Sequence, residues 1–469
     1  MDTGHIRQQA RKLGVWFRDR PAVTAMFAGS TLLMLWLHAQ GWNWDFMVYS
    51  MNAGYLFHGG SYIEWYRPPV AATIIGLLRF IVPRRPAEFI YIVLVSTFLL
   101  HTTKQVAERY EIDLTKLYLL LLSPFIILHG TLNGTEMLGL AFAMLFIADL
   151  SRPRAGLWLG LAFLTRYTYV FLLPLVLFQR WPKKIVATYL ISAVPVAAWF
   201  GHNWLVLGDP FASIANSVAL NVRLRHISNP FNPVHIVLIT GLSGLFIAAA
   251  LVRRKASWKQ PNATTTAMIA FAGLTILSYA RTPVKPVRYL YPLAFPAAFF
   301  AAEAWDRLSV AQGIVTVVLA VNLLGAGVLV SGQYMADPAP YRRAAAATDD
   351  CMTASNLWPH MSYAGQVSTP AHDLERTKQQ IRNGERIVLF RNVETPPFIT
   401  NETVLESLPA VERTPVYVIL GNSSLCREPT RYNTTYFERR EKKYASDGIQ
   451  KSYDPCHFLF GKICSFVGL

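Results

Sequence analysis

The chain has 469 residues, 53% of them hydrophobic and 15% charged, with a formal net charge of +16 and a mean hydropathy of +0.29. Apolar runs recur from residue 22 to residue 330, which excludes an ordinary soluble fold, because runs near 20 apolar residues match the core of a bilayer. The positive charge does not mark a nucleic-acid binder: it is parcelled into short clusters between apolar runs (RQQARK, RDR, RPR, QRWPKK, VRRKASWK), the pattern of cytoplasmic loops under the positive-inside rule.

In chain order, the basic N-terminus lies inside and a retained first span covers residues 22–39; no small-residue cleavage site follows it. The next stretch, GWNWDFMVYSMNAGYLFHGGSYIEWYRPP (41–69), is external and sets Asp45, Glu64 and Arg67 among tryptophans and tyrosines. Residues 70–82 follow a Pro-Pro pair and are too short to span, so they read as an interfacial helix of that loop. Ten further spans are expected at about 87–102, 117–130, 137–150, 155–167, 168–179, 185–205, 234–251, 264–280, 289–303 and 310–331. This gives eleven crossings, with RPR, QRWPKK, VRRKASWK and EAWDR cytoplasmic. TLNGTE (131–136), 206–233 and RTPVKPVR (281–288) are then external. Two of the runs meet at Thr165-Arg166-Tyr167, where an arginine needs the outer surface or a hydrated cavity.

Residues 1–336 thus form the membrane domain and residues 337–469 a polar, extracytoplasmic one. All four cysteines (Cys351, Cys426, Cys456, Cys464) lie in the polar part, as do three N-glycosylation patterns at Asn401, Asn422 and Asn433. Two disulfides fit an oxidising compartment, with three pairings open. YRRAAAATDD reads as a helix and ERIVLF (385–390) and VYVIL (416–420) as buried strands, giving a small α/β domain. Acceptor recognition, a cap over the site and simple stabilisation are all open roles for it. The localisation read from this layout is the plasma membrane.

No P-loop, HExxH, CxxC or GxSxG pattern is present. What gathers on the external side is Asp45, Glu64, Arg67, Glu136, Arg166, Lys285 and Arg288. One acid with cations suits sugar transfer from a polyprenyl-phosphate carrier. The phosphate leaves without protonation if cations hold its charge, and the acceptor hydroxyl needs one carboxylate to take its proton. A glycoside hydrolase would need a carboxylate pair flanking one bond.

Four segments resemble the C-type glycosyltransferase superfamily (GT-C), whose members use lipid-phosphate sugars; protein O-mannosyltransferases and the aminoarabinose transferase of lipid A are examples. DFMVYSMNAGYLFHGGSYIEWYRPP is similar to the family's first external loop, where an acid opens an Asp-x-x-x-Tyr segment and a basic residue with Pro-Pro closes it. HGTLNGTEMLGLAFAMLFIADL resembles the segment bearing a second acid, and GLWLGLAFLTRYTYVFLLP the Gly-Leu-Ala…Thr-Lys stretch, with Arg166 in place of the lysine. VKPVRYLYPLAFP resembles the later basic segment at the carrier phosphate. The resemblance covers residues 20–335 and implies a polytopic α-helical GT-C fold. It implies transfer of a sugar, such as mannose from dolichyl-phosphate mannose, to a glycan, lipid or protein acceptor on the external face, and a one-step geometry with base and leaving phosphate on opposite sides makes that transfer inverting. It makes Asp45 the catalytic base and Glu136 a second acid near donor or acceptor. Tyr49, Glu64, Arg67, Arg166, Lys285, Arg288 and Tyr289 become substrate contacts. No cofactor is assigned. A divalent metal stays open, since the second acid is Glu and no Asp-x-Asp pair stands beside Asp45.

Plainer readings stand beside these. Asp45 reads also as a solvated charge or helix cap, Glu136 as an acid favoured at a helix N-terminus, Glu64 and Arg67 as a local pair, and Lys285 and Arg288 as interfacial anchors. A lipid-carrier flippase or a non-catalytic assembly subunit on the same scaffold is the alternative function, although no internal repeat of the transporter kind is visible.

Overall fold

The computed structural model describes residues 14–179, 181–218, 229–253, 263–308, 313–333, 335–348, 351–393 and 396–428. The N-terminal part is helical throughout. Helix α1 (Pro21–Gln40) leads into α2 (Trp44–His58), α3 (Pro69–Leu78) and α4 (Arg84–Tyr110). Short pieces follow: α5 (Leu114–Leu121), α6 (Pro124–Gly130), α7 (Glu136–Ala148), α8 (Ala155–Thr165) and a 3₁₀ segment, Tyr167–Phe178. Helices α9 (Pro182–Leu207), α10 (Val234–Thr240), α11 (Leu242–Val252), α12 (Ala263–Arg281), α13 (Ala294–Leu308) and α14 (Gly313–Ser331) complete the bundle.

Five of these, α1, α4, α9, α12 and α14, are long and apolar enough to cross a membrane alone, and α10 with α11 adds a sixth stretch bent by 101°. The protein is an integral membrane protein. At 1.5 Å per residue the 27 residues of α4 reach about 40 Å, more than the ~30 Å hydrocarbon core needs. Residues 69–78 are a ten-residue helix begun by Pro69, short as the sequence predicts. The expected spans at 87–102, 185–205, 264–280 and 310–331 coincide with single helices, while others are subdivided. Pro124 has no N–H to continue a helix, so 117–130 breaks into α5 and α6, with the Ser123 hydroxyl capping the second at the Ile126 N–H. The 155–179 stretch breaks where Arg166 adopts an extended backbone (φ −151°).

Helix α7 carries the bundle's centre: all 13 of its residues are buried, which suits a sequence apolar on every side. Around it a single apolar cluster runs from Val23 through Leu140, Tyr169, Phe271 and Trp305 to Ala326. The outer helices turn Leu190, Val194, Leu205, Leu324 and Val328 outward, each more than half exposed, as lipid-facing residues require.

Residues 338–420 build a five-stranded mixed sheet of order β2-β1-β3-β5-β4, with β1 (Thr353–Ser355), β2 (Ser368–Pro370), β3 (Arg386–Phe390), β4 (Ala410–Arg413) and β5 (Tyr417–Leu420). The β1 pairs are parallel; β3–β5 and β4–β5 are antiparallel. The predicted helix and both predicted strands are present, the helix as α15 (Pro338–Ala346). Between β1 and β2 lies α16 (Trp358–Ala364). A disulfide joins Cys351 to Cys426; Cys456, Cys464 and Asn433 lie outside the described residues. This unit packs on the membrane part through one shared core, in which Trp42, Met47, Val48 and Trp65 meet Tyr341, Met361, Tyr363 and Phe390. A backbone bridge pairs Trp42 with Ala336 at the junction.

Candidate active site

The start of α2 fixes Asp45. The Asn43 side chain accepts from the backbone N–H groups of Asp45 (3.0 Å) and Phe46 (3.3 Å), capping the helix. Asp45 therefore sits in the first turn, where the helix dipole favours a carboxylate. Its two oxygens are divided between two arginines: Oδ1 lies 2.6 Å from Arg67 Nη1, and Oδ2 accepts from Arg288 Nη1 at 2.6 Å. Burial raises the Asp45 carboxyl's proton affinity, but Arg67 and Arg288 more than offset it and hold the group well below the usual carboxylate range.

Arg67 is itself positioned. Its Nε donates to Glu64 Oε2 at 3.1 Å, while the Tyr62 hydroxyl donates to Glu64 Oε1 at 2.7 Å. Asn52 clasps the backbone of Glu64 on both sides, each bond at 3.0 Å. Glu64 is thus a buried support for Arg67, whose guanidinium also lies 5.7 Å from the centre of the Tyr49 ring.

A second pair stands beside the first. Glu136 opens α7, is 1% exposed, and forms an ion pair with Arg166 from the broken α8 junction. Asn133 (3.5 Å) and the hydroxyl and N–H of Thr135 (3.4 and 3.3 Å) complete its contacts at longer range. The turn before it needs glycine: Gly134 has φ +89°, and its carbonyl accepts from the Tyr91 hydroxyl. A Cβ there would also meet the Tyr49 ring at 3.3 Å. Arg166 faces the Tyr289 ring at 5.7 Å. Tyr49 lies in the field of Asp45, Arg67, Glu136 and Arg166, and Arg288 in that of Asp45, Glu136 and Arg166. The two ion-pair groups therefore form one site of three acids and three arginines.

Asp45, Tyr49, Glu64, Arg67, Glu136, Arg166, Arg288 and Tyr289 all come together here. Lys285 is directed elsewhere: its Nζ donates to the Asn229 carbonyl at 2.6 Å, in a segment tied to this loop by the Asn229 N–H to the Pro283 carbonyl (2.9 Å). Arg223, Arg225 and His226 lie outside the described residues. His58 bonds the Gly76 carbonyl at 3.0 Å, and His202 stacks on Trp199, both structural placements. The three acids are matched by arginines. Among the described residues no group of three His, Cys, Asp or Glu side chains gathers as a ligand set. With each carboxylate already paired to an arginine, this donor set does not suit a resident divalent cation.

Two neighbours escaped the sequence reading. His129, on α6, lies in the field of Glu136, Arg288 and Arg166 and sits within the quoted HGTLNGTE stretch. Glu88 is wholly buried near the start of α4 and bonds His38, Ser50 and Tyr363. An acid among the first residues of an apolar run was the available signal.

The fold of the chain is similar to that of ArnT from Cupriavidus metallidurans bound to undecaprenyl phosphate, at TM-score 0.63 and 13% identity over 90% of this chain and 100% of that one. It is similar too to the Archaeoglobus fulgidus oligosaccharyltransferase in the apo form, at TM-score 0.55 and 12% identity over 80% of this chain and 70% of that one. Both are GT-C glycosyltransferases. The chain has the GT-C fold. No family model and no curated protein matches it in sequence. Within this GT-C fold, the acid of the first loop helix and the acid opening α7 share one cluster of arginines.

Proposed function

We propose that the protein is a polyprenyl-phosphate-dependent glycosyltransferase whose site opens on the extracytoplasmic face. The observation that carries this reading is the Asp45 carboxylate held between Arg67 and Arg288, with the Glu136–Arg166 pair alongside, in a GT-C fold. The ArnT structure holds undecaprenyl phosphate, which supports a lipid-phosphate carrier as donor.

The chemistry follows from charge. The acceptor hydroxyl oxygen attacks the anomeric carbon and its proton passes to Asp45. The bond from that carbon to the phosphate oxygen breaks, and the electron pair leaves with polyprenyl phosphate. Attack from the face opposite the leaving group inverts the centre. Arg67, Arg166 and Arg288 supply the positive charge that a departing phosphate requires. Between two guanidiniums Asp45 is a weak base. A donor phosphate that draws on the same arginines lowers their hold, returns the carboxylate toward its ordinary range and makes it a better base. A cavity of roughly 210 Å³ between α8, the 3₁₀ segment and α9, lined by Phe163, Tyr169, Leu173 and Phe200, offers apolar room for part of a prenyl chain.

The eleven-crossing topology, with the N-terminus cytoplasmic, belongs to this proposal, as do mannose as the sugar and dolichyl phosphate as its carrier. Transfer by the purified protein from a panel of synthetic polyprenyl-phosphate hexoses, read by mass spectrometry, tests it. Release of polyprenyl phosphate with sugar appearing on an acceptor supports the reading. Protein that binds the donors without release or transfer would favour the flippase or assembly-subunit alternative.

A further inference from the structure

Glu88 has no place in the chemistry above, yet it is 0% exposed and makes four polar contacts. Its two oxygens have different partners. Oε2 receives His38 Nε2 at 3.0 Å and Arg85 Nη1 at 3.1 Å, and Arg85 also donates to the His38 carbonyl at 2.7 Å, which locks α1 to α4. Oε1 receives two hydroxyls, Ser50 from α2 and Tyr363 from α16 of the C-terminal sheet unit, both at 2.6 Å. Ser50 belongs to the same helix as Asp45 and follows Tyr49 directly. Arg79 donates to the Ser50 carbonyl at 3.3 Å. Tyr363 is held in turn by Arg84, which stacks on its ring at 4.0 Å and donates to its carbonyl at 2.9 Å. At the N-terminal end of α2, Trp44 meets Trp358 edge-on at 4.9 Å, so α16 meets the Asp45 helix directly there and, through Glu88, at Ser50.

A bare carboxylate at full burial is expensive unless every lone pair is used. Tight packing would bring α16 and α2 together without any charge, so a buried acid at their junction specifies position. We propose that Glu88 is a positioning residue: through one oxygen it couples the C-terminal unit, by Tyr363, to the helix that carries Asp45 and Tyr49. The unit then acts as a docked part of the active site. This inference rests on Asp45 as the reacting base, while the coupling itself can be read without activity.

The test is a cycle of Tyr363→Phe, Ser50→Ala and the double variant. Each single change keeps its packing and removes one hydroxyl from the same oxygen. Hydrogen–deuterium exchange of residues 44–58 is measured together with kcat and donor KM. A misplacement of the base by a fraction of an ångström to 1 Å loses on the order of 10- to 100-fold in rate. The coupling predicts such a loss in kcat for Tyr363→Phe with donor KM changed less than about threefold, faster exchange across 44–58, and a double variant little worse than either single. Unchanged exchange and kcat in Tyr363→Phe, or fully additive losses, would overturn it, even if the melting temperature falls. If the wild type proves inactive, altered exchange in Tyr363→Phe still supports the coupling and only the transferase reading fails.

Discussion

Replacing Arg166 with methionine removes a guanidinium while keeping a long, flexible side chain, and it isolates what the second ion pair does. Glu136 is 1% exposed, so it cannot turn to water when its partner disappears. Its remaining contacts, from Asn133 at 3.5 Å and Thr135 at 3.3 and 3.4 Å, are too long to stand in for a guanidinium. Breaking a buried pair from one side costs about 3–5 kcal/mol, whereas replacing both partners by neutral groups is often close to neutral. At about 2 °C per kcal/mol, Arg166→Met should lower the melting temperature in detergent by roughly 6–10 °C. Glu136→Gln combined with Arg166→Met should recover most of that loss. The assay is thermal unfolding of the wild type, both singles and the double. A single variant within about 1 °C of wild type, or a double no better than Arg166→Met, would refute a charged, mutually dependent pair at the break between α8 and the 3₁₀ segment.

Three further outcomes follow from the same geometry. Asp45 is depressed by Arg67 and Arg288, so it stays deprotonated as pH falls through the ordinary carboxylate range; Arg288→Ala removes part of that depression, and the acid limb of the pH–kcat profile should move to higher pH. Lys285→Met should change kcat/KM less than about threefold, because Lys285 serves the Asn229 carbonyl and not the Asp45 cluster; a loss near 100-fold would place it at the donor after all. His360, packed between Trp44 and Tyr341, is pushed down to about 4 by burial. Its folded state resists protonation while the unfolded chain accepts a proton near 6.5. Stability is therefore full above pH 6.5 and falls by about 3 kcal/mol as pH drops toward 4, a dependence that His360→Gln should flatten in acid melting curves.

Much of this layout could be read from local signals. The clustering of the 41–69 stretch is legible because acid, base and aromatic residues crowd one short segment between apolar runs, and Asn43 before Asp45 is an ordinary helix start. Arg166 inside an apolar run marked a break, and a break is there. The strands at 386–390 and 417–420 followed from short β-branched runs between polar loops. Partner choice was not local and stayed out of reach. Arg288 is 243 residues from Asp45, and nothing in VKPVRY tells which of its two bases turns to the acid; the 3₁₀ turn over Val287–Leu293 decides that. The role of Glu88 is not legible locally, because an acid at the start of a span reads as a surface charge until Tyr363, from another part of the chain, covers it. The apolar runs are legible in the sequence, but their subdivision depends on single features such as Ser123-Pro124, which window averages smooth away.

The central claim is that Asp45 takes the proton of the acceptor. The direct measurement is single-turnover transfer from a polyprenyl-phosphate sugar by wild type and Asp45→Asn, with donor binding and melting temperature recorded on the same preparations. The amide keeps the shape and the helix cap and removes the base. Transfer should fall on the order of 100-fold or more while donor affinity holds or rises, since two arginines lose their internal counter-charge. An Asp45→Asn protein that transfers at the wild-type rate would contradict the account and leave Asp45 as a structural anchor for Arg67 and Arg288.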